Sequence, residues 1–254
     1  MIFAICVAFG SSLGAAELSH GLPITDFVHE RAVAPDQDVP HWYVLTGAPG
    51  AGKTSIINYL ATQGYAVTYE PAASVIKEGI DAGDHAPWSD PCFDRKIVMR
   101  FHQGVALAHH SEGSALTRIF DRTLVDALVY VIRANEKKEK EGLPLDSDSD
   151  RVVIDALARM LSERKFQLTV FFVEQLGFCE TNEGRPEGLT EACDIAERLR
   201  KAYADLGFKL ISVNDLKATV DEAATDTEVL EANIAERGDF IADCIEQEKR
   251  RSLK

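Results

Sequence analysis

The sequence predicts a three-layer α/β fold on a doubly wound, mainly parallel sheet of five strands. Three observations carry that expectation. Apolar, β-favouring runs alternate with helical periodicity between Trp42 and Val213. The octapeptide GAPGAGKT, Gly47–Thr54, stands between the first such run and the first helix. Leu168–Val173 is almost wholly apolar, as a strand buried on both faces of a parallel sheet must be.

The elements follow in order. The first strand is Trp42–Thr46, and Lys53–Gln63 is a helix with Ile56, Ile57 and Leu60 on one face. Gly64 ends it, since glycine accepts the left-handed backbone of a helix C-terminus. Tyr65–Tyr69 is the second strand, closed by Glu70-Pro71, and Ala72–Gly79 starts a short helix. Gly83–Pro91 is a polar loop holding Trp88. A long helix follows, with Phe93, Ile97, Phe101 and Val105 at four-residue spacing. Ala115–Phe120 is the third strand and Thr123–Arg133 the next helix. Residues 134–150, with EKKEKEG and DSDSD, read as a charged, solvated insertion. Arg151–Arg164 is helical and Leu168–Val173 is the fourth strand. Gly177–Gly188 is a polar loop, Leu189–Leu206 a helix and Phe208–Val213 the fifth strand. The acidic stretch Val220–Glu248 makes one or two helices.

The octapeptide fits G-x-x-x-x-G-K-[ST] without a mismatch. Gly47, Gly50 and Gly52 let the backbone turn tightly and present its N–H groups to a phosphate chain. Ala48, Pro49 and Ala51 complete the turn, and Ser55 follows it into the helix, whose positive end points at the same place. Lys53 would reach the β- and γ-phosphates, and the Thr54 hydroxyl would meet Mg²⁺. The expected fold is therefore that of a P-loop NTPase, binding ATP with Mg²⁺. No N-K-x-D base-reading motif is present, so ATP is the default and GTP stays open.

Ligands of doubly wound sheets sit at the carboxyl ends of the strands. That rule gathers Glu70, Asp121, Arg122 and the loop after the fourth strand around the phosphate loop. Asp121 suits a Mg²⁺ ligand or a proton acceptor, against a plainer role as a helix N-cap. Glu70 suits a base or a substrate contact, against a carboxylate that merely favours a helix N-terminus. Arg122 suits a clamp on a phosphate or an acceptor, against a surface ion pair. Arg185, between glycines in NEGRPEG, suits a lid that closes a cation onto the transferring phosphate. Trp88 either stacks on a ring or packs the loop.

Composition sets bounds. A net charge of −14 argues against bulk attraction to nucleic acid or an anionic membrane. Cys6, Cys92, Cys179, Cys193 and Cys244 show no C-x-x-C pairing, and a reducing compartment is the simplest setting. Residues 1–39 read as an unstructured leader or a start assigned too far upstream, in preference to a secretion signal, because the signal-like start has no Lys or Arg before Arg31. The domain is expected to span residues 40–254 in the cytoplasm.

With these residues in hand, the chain resembles the NadR-like P-loop ATPases, an AAA-labelled branch close in layout to nucleoside and nucleotide kinases. The resemblance rests on LTGAPGAGKTSI at Leu45–Ile56, GYAVTYEPAASVI at Gly64–Ile76, Pro87-Trp88, IFDRTLVDALVY at Ile119–Tyr130 and VFFVE at Val170–Glu174. Gly184–Val213 adds a later match. The Glu-Pro pair at Glu70-Pro71 looks like that of deoxynucleoside kinases. The resemblance implies a nucleotide-binding domain that transfers a phosphoryl group to a small acceptor, a nucleoside or a nicotinamide riboside-like compound first. The alternative is a nucleotide-dependent switch whose charged segments engage a protein or lipid partner.

Overall fold

The computed structural model describes residues 41–112, 117–145, 147–163, 166–175, 187–214 and 226–252. The expected leader, Arg185, Cys6 and Cys179 lie outside them.

Five strands form one parallel sheet in the order β2-β3-β1-β4-β5. They are β1 (Trp42–Gly47), β2 (Ala66–Thr68), β3 (Arg118–Asp121), β4 (Thr169–Val173) and β5 (Lys209–Val213). The helices are α1 (Lys53–Thr62), α2 (Pro71–Asp81), α3 (Phe93–Glu112), α4 (Leu124–Lys140), α5 (Ser147–Ser162), α6 (Leu189–Asp205) and α7 (Asp226–Ser252). The chain leaves β1 to build one half of the sheet and then crosses to build the other. β1 is thus the switch point, and a crevice opens beyond its carboxyl end.

Alternate residues along each strand enter different cores, as the two-residue period demands. Trp42, Val44, Phe120, Val170 and Phe172 pack beneath α3–α6. Tyr43, Leu45, Ile119, Phe171 and Val213 pack against Ile56, Ile57 and Leu60 of α1 and Ile241 and Ile245 of α7. Both faces of β1, β3 and β4 are sealed, so the carboxyl ends of those strands are the open way to their polar groups.

Two local expectations are sharpened and two shift. The sheet is parallel throughout. The C-terminal stretch, expected as one or two helices, is one helix, α7, over its described residues. The charged tract at residues 134–150 is no separate insert: it is helical over residues 134–140 and 147–150, with a short connection between. Glu and Lys are good helix formers, and Lys137, Lys138 and Lys140 meet the negative end of α4. Asp148 and Asp150 favour the positive end of α5 in the same way. Asn135 and Asp150 are buried there, joined by an Nδ2–H to Oδ2 hydrogen bond of 2.6 Å. β3 is also displaced from the expected Ala115–Phe120 and reaches Asp121.

Candidate functional site

The phosphate loop starts where β1 ends. Gly47 has φ +144°, and a Cβ there would stand 2.3 Å from the Val173 carbonyl oxygen, so only glycine fits beside β4. Gly52 caps α1 in the left-handed region at φ +85°. Lys53 is buried, and its Nζ donates to the Ala48 carbonyl at 2.8 Å across the turn. Ala48 and Ala51 are fully buried, whereas Thr54 and Ser55 are exposed at the cavity wall.

Register sets the neighbours. Leu45 of β1 pairs with Asp121 of β3, and the Arg122 N–H donates to the Leu45 carbonyl at 2.9 Å. Arg122 then adopts φ +67°, rare for a side chain without special support. The support is visible. Its Nε lies 3.0 Å from Glu70 Oε1 and its Nη1 2.9 Å from Asp126 Oδ1. Its guanidinium carbon stands 5.6 Å from the centre of the Tyr130 ring. Arg122 is thus a buried cation between two carboxylates, not a surface ion pair.

Asp126 is the hub of this arrangement. It accepts from the Thr46 hydroxyl at 2.5 Å, the Tyr203 hydroxyl at 2.6 Å, the Thr123 N–H at 3.1 Å and Arg122. Thr123, not Asp121, is the N-cap of α4, with Asp126 closing a capping box. The spacing Thr123-Leu124-Val125-Asp126 is itself a capping signature, and it was the one sequence signal pointing to Asp126.

Asp121 is 2% exposed and its Oδ1 has no hydrogen-bond partner. Burial and then the nearby Glu70 charge raise its carboxyl to about 7, against the pull of Lys53 and Arg122. Burial, helped by Arg122, lowers the Lys53 ammonium to about 8, while Asp121, Glu70 and Asp126 oppose that. Two cations, Lys53 and Arg122, thus face three carboxylates, Glu70, Asp121 and Asp126. A polyphosphate entering this set adds further negative charge, which a divalent cation would offset. The orphaned buried oxygen of Asp121 and the exposed hydroxyl of Thr54 are hard oxygen donors of the kind Mg²⁺ takes.

One cavity of about 1720 Å³ joins the phosphate loop, Glu70, Arg122 and Asp126; Asp121 is not among the residues that line it. The phosphate loop lines one end, and Glu70, Arg122 and Tyr130 lie along its wall together with Ile76, Trp88, Ile97 and Phe101. A site for one small ligand measures roughly 300–1,000 Å³, so this space suits two side by side. Trp88 is 39% exposed and faces the cavity instead of packing the core, and Phe93 also lines it. Phe101 and Phe120 are buried in the core. At the rim, Arg133 pairs with Glu191 at 2.6 Å and Arg198 with Glu136 at 2.9 Å, tying α4 to α6.

A family model described as an AAA domain matches residues 42–246. No curated protein matches the chain. Among solved structures, deoxyadenosine kinase from M. mycoides with bound dATP is similar at 16% identity and a TM-score of 0.37, over 77% of this chain and 97% of that one. No helix among the described residues is long and apolar enough to cross a membrane.

Proposed function

The chain belongs to the AAA-domain family, and from that premise we propose that it transfers the γ-phosphate of ATP, or of GTP, to a hydroxyl of a small nucleoside- or riboside-like acceptor. The observation that carries this reading is the shared cavity. The phosphate loop opens into the same space as Glu70 and Arg122, beside an apolar and aromatic wall suited to a planar ring. The resemblance to NadR-like proteins puts ribosides first among acceptors.

The chemistry is chiefly positioning and charge compensation. Lys53 would leave the Ala48 carbonyl for the phosphate oxygens. Thr54 and Asp121 would hold Mg²⁺, which when bound supplies charge neutralisation on the phosphates. Arg122, fixed by Glu70 and Asp126, stands ready for charge that develops on the transferring group. The Glu70 side chain keeps partial access to solvent and would accept the acceptor's hydroxyl proton. The acceptor oxygen then bonds to the γ-phosphorus as the bond to the β–γ bridging oxygen breaks, and ADP leaves with that electron pair.

The test is consumption of ATP and GTP by the full chain with Mg²⁺, alone and with a panel of nucleosides and ribosides. Turnover that depends on one acceptor, with that acceptor recovered as its phosphate, is the expected result. Nucleotide binding with slow hydrolysis that no acceptor stimulates would favour a nucleotide-dependent switch instead.

A further inference from the structure

Arg237 is the largest fully buried side chain among the described residues, at 1% exposure, and it stands on α7, 186 positions beyond the loop residue it meets. Its guanidinium donates to main-chain carbonyls of three separate segments. Nη1 reaches Ala51 O at 3.2 Å, and Nη2 reaches Glu174 O at 2.9 Å and Val213 O at 3.3 Å. Ala51 belongs to the phosphate loop, Glu174 follows β4 and Val213 ends β5. A guanidinium is costly to desolvate, and an apolar side chain would fill this space with less penalty. The proton-transfer and phosphate-facing groups described above do not include it.

The Ala51–Gly52 peptide explains what the contact does. In a planar trans peptide the C=O and N–H point in opposite directions, and the described residues contain no cis bond. A cation that holds the Ala51 carbonyl from behind the loop therefore turns the Gly52 N–H to the other side. That side is the open one, where Gly52, Lys53 and Thr54 line the cavity. The constraint is needed because Gly52, with no Cβ and φ +85°, has low barriers to other orientations of this peptide. A flipped peptide would aim a carbonyl oxygen at the phosphates in place of a donor.

We infer that Arg237 is a positioning residue of the phosphate loop: by bonding the Ala51 carbonyl it aims the Gly52 N–H at bound polyphosphate, and through Glu174 and Val213 it keys that orientation to the ends of β4 and β5. The inference rests on the nucleotide-binding part of the reading above and on no particular acceptor. Lysine cannot replace the residue, because a point ammonium lacks the planar fork that spans three carbonyls.

The experiment uses the full chain with Arg237→Lys and Arg237→Met, probed by calorimetric titration with ATP–Mg²⁺ and with inorganic tripolyphosphate. Labelling alanine carbonyls and glycine nitrogens isolates the amides of Gly52 and Gly83, the two glycines preceded by alanine. In the parent chain, tripolyphosphate should shift the Gly52 amide resonance and leave Gly83 in place. Both variants should bind both probes at least tenfold more weakly and lose that shift. Folded variants that bind within twofold of the parent would overturn the inference. So would a parent chain that binds tripolyphosphate without moving the Gly52 amide, a result that stands even where neither variant folds. A parent chain that binds neither probe overturns the nucleotide reading itself, and this inference with it.

Discussion

Arg122 Nη1 sits 2.9 Å from Asp126 Oδ1, and this contact between residues four apart holds Arg122 in its left-handed backbone at the cavity wall. Asp126 also takes the hydroxyls of Thr46 and Tyr203, so one carboxylate fixes the end of β1, the start of α4 and a residue of α6. Removing its charge leaves a buried guanidinium undercompensated. Asp126→Asn should lower stability by roughly 2–4 kcal/mol. Urea unfolding checks this, and a midpoint unchanged from the parent would show that the hub carries little.

Lys53→Ala should abolish ATP binding without loss of stability near neutral pH. The ammonium is buried and its pKa is lowered to about 8 by desolvation, so its charge opposes folding at pH 7. Calorimetric titration with ATP–Mg²⁺ and thermal melts of the same preparation separate the two effects. Retained tight binding in the variant would remove the phosphate loop from the functional account.

Asp121→Asn should trade function for stability, with a defined pH dependence. The folded carboxyl keeps its proton up to about pH 7, whereas the unfolded one loses it near pH ~4. Between those values the folded state binds more protons, so the Asp121 contribution weakens the fold as pH rises, and the loss is complete above about 7. The variant should match the parent near pH 4.5 and exceed it by ~2 kcal/mol or more at pH 8. Melts across that range decide it, since a gap independent of pH would deny the titration. Nucleotide turnover in the variant should fall far more than nucleotide affinity.

Glu70→Gln should split the kinetic constants. The amide keeps a contact to Arg122 but accepts no proton, so kcat should drop ~100-fold or more while the KM for ATP stays within a few-fold. Equal loss in both would recast Glu70 as a support for Arg122.

Gly47→Ala should be among the most damaging single methyl additions in the chain. The new Cβ would meet the Val173 carbonyl at 2.3 Å on a backbone with φ +144°. A loss of roughly 3–5 kcal/mol is expected, visible as a large fall in melting temperature.

The sheet and the phosphate loop were legible because their signals are local. A strand buried on both faces declares itself by its own apolar run, and GAPGAGKT is contiguous. One topological rule about strand ends singled out Glu70, Asp121 and Arg122, and the fold does bring the three together with Lys53. The groups that hold them were not legible, because their partners are distant in the chain: Tyr203 meets Asp126 across 77 positions and Arg237 meets Ala51 across 186. A tyrosine in an amphipathic helix and an arginine in an acidic one carry no mark of such contacts. The charged stretch at residues 134–150 misled for another reason. Helix ends rich in Lys, Glu and Asp have the composition of a solvated loop, and buried Asn135 and Asp150 look no different from their exposed neighbours until the helices pack.

The late position of α7 has a consequence for biosynthesis. The apolar face formed by Tyr43, Leu45, Ile119 and Phe171 is finished only when Ile241 and Ile245 of α7 arrive, after all five strands. Until then that apolar layer lacks the cover of α7, and the glycine loop lacks the Arg237 contact to Ala51. Closing this half of the molecule therefore waits on contacts between residues far apart in the chain, and it comes after the strands it covers have been made.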